Sequence, residues 1–299
     1  MGSPDFAIPS LEKIHQSKHN IVAVVSNVDK RRGRGSDTAP TPVKAKAKEL
    51  GLTVIEVEDL KSTEFEKSLT ELNADLFVVV AFRILPPKIL EIPKIGSINL
   101  HASLLPKYRG AAPIHWAVIN GEKETGCTIF FLDEKVDTGN VILQKKESIT
   151  SDDTTGDVYN RLMEVGSIQL VNAIDMIEEG TYELSPQNDE EATPAPKLFN
   201  ENTRIDFSQS AVSIHNQVRG LNPFPVAWTK WENKKVKIYK TRPVSRTNIK
   251  KGELLQEDGK LLVGCKESAL EIKELQLPGK KRMNIREFLN GFEIKGKFE

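Results

Sequence analysis

Cysteine is scarce in this sequence: two residues, Cys127 and Cys265, stand far apart in the chain. That scarcity argues against a disulfide framework or a zinc site and fits a chain kept in a reducing cytoplasm. No apolar run approaches the roughly 20 residues that cross a bilayer, so no membrane partner is expected. Missing too is the basic-then-apolar start of a secretory signal. Met1-Gly2 opens a myristoylation pattern, but Phe6 stands where that signal needs serine or threonine. No internal repeat is visible. Net charge is also absent, because 42 Lys and Arg balance 42 Asp and Glu over 299 residues.

That balance hides an asymmetry. Through Pro196 there are 21 basic and 30 acidic residues, a net −9; beyond it there are 21 basic and 12 acidic, a net +9. A basic tail on a neutral chain suits a polyanionic partner, although a plain solvated face carries such charge as well.

The first part alternates strand and helix patterns. Residues 21–26, 53–57, 75–82, 97–100 and 127–132 read as strands, the third so apolar that both its faces must be covered. Residues 42–50 and 63–72 read as helices, the first with Pro42 in its opening turn and Gly51 just past its end. The longest helix spans 155–179, with Val158, Leu162, Val165, Ile168, Val171, Ile174 and Ile177 on one stripe and Thr154 or Asp153 as its cap. Repeated strand–helix units predict an α/β, Rossmann-like, mostly parallel sheet over 1–184, with ligands beyond the carboxyl ends of its strands. The polar, proline-rich stretch 185–199 reads as a linker. From 200 to 299 a short helix at 210–219 precedes strands at 227–232, 235–240, 261–265 and 269–275, with a hairpin turn at Asp258-Gly259. This predicts a small OB-like β-barrel.

Residues 97–140 carry the candidate chemistry. Alternation in a strand sends Asn99 and His101 to one side and Leu100 to the other. The chain then turns through Ser103-Leu104-Leu105-Pro106, and a second strand leads to the loop that holds Asp137. Asn, His and Asp gathered at strand ends can run an acyl transfer without a covalent intermediate. The amide and an imidazole N–H stabilise the oxyanion, while the carboxylate orients the imidazole as a proton leaves the attacking amine. The same residues also fit a plain reading: a hydrogen-bonded surface histidine and an Asp-Thr-Gly turn.

The run Asn99-Leu100-His101-Ala102-Ser103-Leu104-Leu105-Pro106-Lys107-Tyr108-Arg109-Gly110, followed by Asp137-Thr138-Gly139, resembles the folate-dependent formyltransferase family. Met1-Gly2-Ser3-Pro4-Asp5-Phe6-Ala7, Arg32-Gly33-Arg34-Gly35 with Thr41-Pro42-Val43-Lys44, and Asn222-Pro223-Phe224-Pro225 with Trp228-Thr229 extend the resemblance along the chain. They point to the branch that formylates the amino group of methionyl initiator tRNA. The resemblance implies 10-formyltetrahydrofolate as co-substrate, no metal, and Asn99, His101 and Asp137 as the catalytic trio. Ser103, Leu104, Leu105 and Pro106 would border the folate site, with Phe82 and Leu85 lining the pterin pocket. Arg31, Arg32 and Arg34, on a glycine-hinged loop, and Lys44 would meet tRNA. Lys234, Lys235 and Lys237, with Lys240 and Arg242, would hold its backbone. The chain is expected to act as a monomer.

Two departures stand out. Relatives carry a β-strand ahead of the Met1-Gly2 turn; without it unpaired edges and apolar surface would be exposed, so a misassigned or truncated start that folds poorly is expected. Arg83 stands in Ala81-Phe82-Arg83-Ile84, where relatives carry Tyr-Gly. Two alternatives compete: formyl transfer to a nucleotide-linked amino sugar, which the arginine loop and the basic tail argue against, and a tRNA-binding fragment with impaired catalysis.

Overall fold

The computed structural model describes residues 1–31 and 38–299. The chain divides into two compact units. The first holds residues 1–110, 125–148 and 159–195; the second holds 111–124, 149–158 and 196–299.

In chain order the elements begin with α1 (Ile8–Gln16), β1 (Val24–Asn27), β2 (Lys30–Arg31), β3 (Thr38–Ala39), α2 (Pro42–Glu49), β4 (Val54–Val57) and α3 (Thr63–Glu71). There follow β5 (Leu76–Val80), α4 (Pro87–Leu90), β6 (Gly96–His101), α5 (Pro113–Ile119), β7 (Glu124–Phe131), β8 (Val141–Ser148) and α6 (Thr155–Glu179). Side chains start the helices as the sequence predicts. Thr41 accepts from Lys44 N, Ser62 from Phe65 N, and Thr154 and Asp157 cap each other reciprocally.

The sheet of the first unit is parallel-rich but comes in two pieces. β1 pairs in parallel with β4, and β5 in parallel with β6; β7 joins β6 antiparallel, and β8 follows it. β5 stops short of the 75–82 expectation because Ala81 takes φ +49°, which strand geometry does not allow. β1 likewise omits residues 21–23 and runs from Val24 to Asn27. β6 lies against α6, where a Cβ added at Gly166 would stand 3.0 Å from Leu100 Cδ2. That approach seats Leu100 under the helix and turns Asn99 and His101 the other way.

The second unit adds α7 (Ala211–Gly220), β9 (Ala227–Trp231), β10 (Lys234–Val244), β11 (Leu254–Glu257), β12 (Lys260–Gly264), β13 (Ala269–Gln276), β14 (Met283–Asn284) and α8 (Ile285–Gly291). Its strands run β11-β12-β13-β10-β9, with β14 beside β13, and every pairing between them is antiparallel. This is the antiparallel tail domain expected from the sequence, and the described pairings leave its sheet open. Asp258 and Gly259, at φ +50° and +68°, make the anticipated hairpin turn between β11 and β12. Ile214, Leu221, Ile238, Leu261, Ile272 and Phe288 fill the core of this unit.

Candidate active site

His101 ends β6 and is 6% exposed. Its Nε2 lies 2.9 Å from the carbonyl oxygen of Tyr108. A carbonyl only accepts, so Nε2 carries the hydrogen and Nδ1 presents a lone pair in the neutral ring. Nδ1 stands 3.7 Å from Oδ2 of Asp137, beyond hydrogen-bond length. Asp137 is 8% exposed, and the same Oδ2 accepts a hydrogen bond from Gly110 N at 2.8 Å. An imidazole lone pair and a carboxylate oxygen thus face each other, an arrangement that favours the arrival of a proton or a proton-bearing group. Asn99, two residues back on the same side of β6, buries its Oδ1 with no hydrogen-bond partner among the described residues.

The Asp137 loop is held by its backbone. Asp137 has φ +57°, and a Cβ added at Gly139 would fall 1.7 Å from Phe131 O, so only glycine fits there. Gln187 then straps the loop: its Nε2 donates to Asp137 O at 3.0 Å and to Gly139 O at 2.8 Å. Its Oε1 accepts from Arg109 Nη2 at 2.8 Å, and Arg109 also pairs with Asp189. Thr193 continues the strap, taking Tyr108 N on its hydroxyl at 2.9 Å and Arg109 N on its carbonyl at 2.9 Å. The stretch expected to be a linker therefore binds the segment that orients His101. Nothing local in the sequence marks Gln187, because its partner Arg109 lies 78 residues away.

The Ser103–Pro106 turn is built inward, with a cis Leu105-Pro106 bond. Ser103 is fully buried and its hydroxyl donates to Lys107 O; Leu105 is buried, and its N–H donates to Thr128 Oγ1. Gln144 Nε2 closes the turn on Leu105 O at 2.7 Å. Leu104 and Pro106 are half-buried. Leu85 is buried in one apolar cluster, with Phe82 and Leu132 packed against it. Arg83 is engaged nearby, its guanidinium donating to Val57 O and Glu58 O at 2.8 and 2.7 Å and lying over the Phe82 ring.

The expected tRNA contacts are a mixed set. Arg32 and Arg34 lie outside the described residues, and of Arg31 only the backbone is described, opposite Thr38. Lys44 departs from the expectation: it is 3% exposed and pairs with Asp29 at 2.8 Å and Glu56 at 2.7 Å, with its pKa raised by both. An ammonium enclosed by two carboxylates is a structural clamp, not a free phosphate contact. Lys234 and Lys235 are exposed on β10, and Lys237 is half-buried there. Lys235 lies 4.3 Å from the Trp228 ring centroid, and Lys234 lies 5.9 Å from that of Trp231. No helix among the described residues is long and apolar enough to cross a membrane.

Two family models match this chain: formyl transferase over residues 1–174, and the formyl transferase C-terminal domain over 197–293. A methionyl-tRNA formyltransferase of Chlorobium phaeovibrioides is 46% identical, covering 98% of this chain and 94% of its own. The methionyl-tRNA formyltransferase of Desulforamulus reducens is 44% identical over the same shares. Among solved structures, an N-formyltransferase from Helicobacter canadensis in complex with folinic acid and dTDP-3-aminofucose superposes with a TM-score of 0.70 at 25% identity. It covers 91% of this chain and 96% of its own.

Proposed function

Because the chain belongs to the formyl transferase family, on the side of the methionyl-tRNA formyltransferases, we propose that it moves the formyl group of 10-formyltetrahydrofolate onto methionyl initiator tRNA. The reaction belongs to translation initiation in the cytoplasm. The observation that carries the mechanism is the orientation of His101, its Nε2–H fixed on Tyr108 O and its Nδ1 facing Asp137.

The folate supplies a formyl carbon open to attack by an amine. The residues fit it: Phe82, Leu85 and Leu132 form an apolar wall for a flat heterocycle, and the unpartnered Asn99 Oδ1 marks an amide that a bound group must complete. As the methionyl amine attacks, negative charge grows on the formyl oxygen, and the Asn99 amide N–H stabilises it. The amine becomes acidic on attack, and His101 Nδ1 is placed to take its proton. Asp137, whose Oδ2 is steadied by Gly110 N–H, holds the resulting imidazolium, whose proton passes to the folate nitrogen as its bond to the formyl carbon breaks and the oxyanion collapses to the new amide. We assign Ser103 and Leu105 to shaping the loop and Leu104 and Pro106 to its ligand side. The arginine loop with Lys234, Lys235 and Lys237 remains the proposed tRNA contact, with 185–199 connecting the catalytic and tRNA-binding parts.

The solved neighbour's aminofucose complex keeps an amino-sugar acceptor as the second reading. Formyl transfer to charged initiator tRNA, run with a nucleotide-linked amino sugar as competitor, separates the two.

A further inference from the structure

Arg83, which stands out in the sequence, has no part in the proposed chemistry. β5 ends at Val80, and Ala81 turns the chain out of the strand with φ +49°. Residues 82–85 then form no backbone–backbone hydrogen bond among the described residues. Ile84 is 73% exposed, whereas Leu85 is buried and anchors the far end of the turn. Between these points Arg83 supplies the polar tie. Its Nη2 donates to Val57 O at 2.8 Å and its Nη1 to Glu58 O at 2.7 Å, at the carboxyl end of β4. The guanidinium carbon stands 5.6 Å from the Phe82 ring centroid. Nε is buried with no hydrogen-bond partner among the described residues. Val57 and Leu85 belong to one buried apolar cluster, and Phe82 and Leu132 pack against it. The clamp therefore fastens the turn to the same wall that its own side chains complete.

A turn without backbone hydrogen bonds samples several conformations, and a ligand that needs one of them binds more weakly by the fraction of time spent in the others. A guanidinium fork reaches two carbonyls at once, which a single ammonium does not. We propose that Arg83 is a positioning residue for the folate: by clamping residues 82–85 to the carboxyl end of β4, it holds Phe82 and Leu85 as a preformed wall for the pterin ring. Both terminal nitrogens already donate to main-chain carbonyls, so Arg83 holds the turn and does not grip the carboxylates of the folate. This role rests on the folate reading of Phe82 and Leu85. Removing the side chain loses two hydrogen bonds and also removes a buried donor that has no acceptor, two effects of opposite sign on stability.

The test compares Arg83→Met and Arg83→Lys with the unaltered chain. Methionine keeps an unbranched stem beside the Phe82 ring without either hydrogen bond, and lysine keeps the charge without the fork. Each protein is titrated calorimetrically with 5-formyltetrahydrofolate and with 5-formyltetrahydropteroate, which lacks the glutamate. Arg83→Met should raise Kd by about tenfold or more for both ligands, and Arg83→Lys should retain most of that loss. The melting temperature should stay within about 3 °C, and kcat at saturating folate within about twofold. Unchanged affinity in Arg83→Met overturns the proposal. Full affinity in Arg83→Lys, or a loss confined to the glutamate-bearing ligand, marks a direct charge contact and overturns it as well. Failure of the unaltered chain to bind either ligand overturns the folate reading itself, and the proposal with it.

Discussion

Asn99 buries an amide oxygen that has no hydrogen-bond partner among the described residues, a cost of about 1–3 kcal/mol. Asn99→Ala should therefore leave thermal stability unchanged or slightly improved while lowering kcat by about 10²–10³-fold, with tRNA affinity preserved. His101→Ala should lower kcat on a similar scale, because it removes the Nδ1 proton acceptor. A gel-shift or filter-binding assay beside single-turnover kinetics checks both. Gly110 positions the third member: it has φ +124°, and an added Cβ would stand 2.8 Å from Ala195 O. Gly110→Ala should destabilise by about 1–3 kcal/mol and impair turnover through the Gly110 N–H that holds Asp137. Calorimetry with kinetics on one preparation measures both effects. Met1 supplies a pH signature. Burial lowers its amine to about 5, below the ordinary 8.0, so the unfolded chain binds the proton more readily. Stability contributed by this group is present above pH 8 and is lost as pH falls toward 5. Lys18, His19, Asp75 and Glu178 line the pocket beside Met1. The diagnostic is therefore the difference from an N-acetylated chain, which should lack the Met1 component; identical profiles would contradict it.

At the scale of elements, the strap from Gln187 to Thr193 holds both loops that meet at His101, through Arg109, Tyr108, Asp137 and Gly139. Gln187→Leu should lower kcat by tenfold or more with little change in tRNA affinity, which steady-state kinetics resolves; an unchanged kcat would reduce the strap to packing. This element also shows where sequence reading ends. The periodic helices α3 and α6, the strands β6 and β7 and the 258–259 turn were legible because their signals are local. The strap was read as a linker because its proline-rich composition is local while its bonds are distant. Lys44 was misread for a related reason: a lysine beside an arginine loop looks like a phosphate contact until the fold brings Asp29 and Glu56 to it. β8, although eight residues long, went unread because only its first residues are apolar and the exposed remainder is polar.

For the whole molecule, two features govern: the proposed trio of Asn99, His101 and Asp137, which the Asn99–Gly110 and Asp137–Gly139 motifs mark in the sequence, and a charge distribution of −9 through Pro196 and +9 beyond it. If the basic tail meets the tRNA backbone, KM for tRNA should climb steeply with salt while KM for folate stays nearly level. Parallel salt titrations of the two constants check this. The acceptor decides which reaction this chain performs. The most direct measurement is transfer of labelled formyl from 10-formyltetrahydrofolate with methionyl initiator tRNA and a nucleotide-linked amino sugar present together. Label on the tRNA alone, lost in His101→Ala, is the predicted result; label on the sugar, or transfer that survives His101→Ala unchanged, would contradict it.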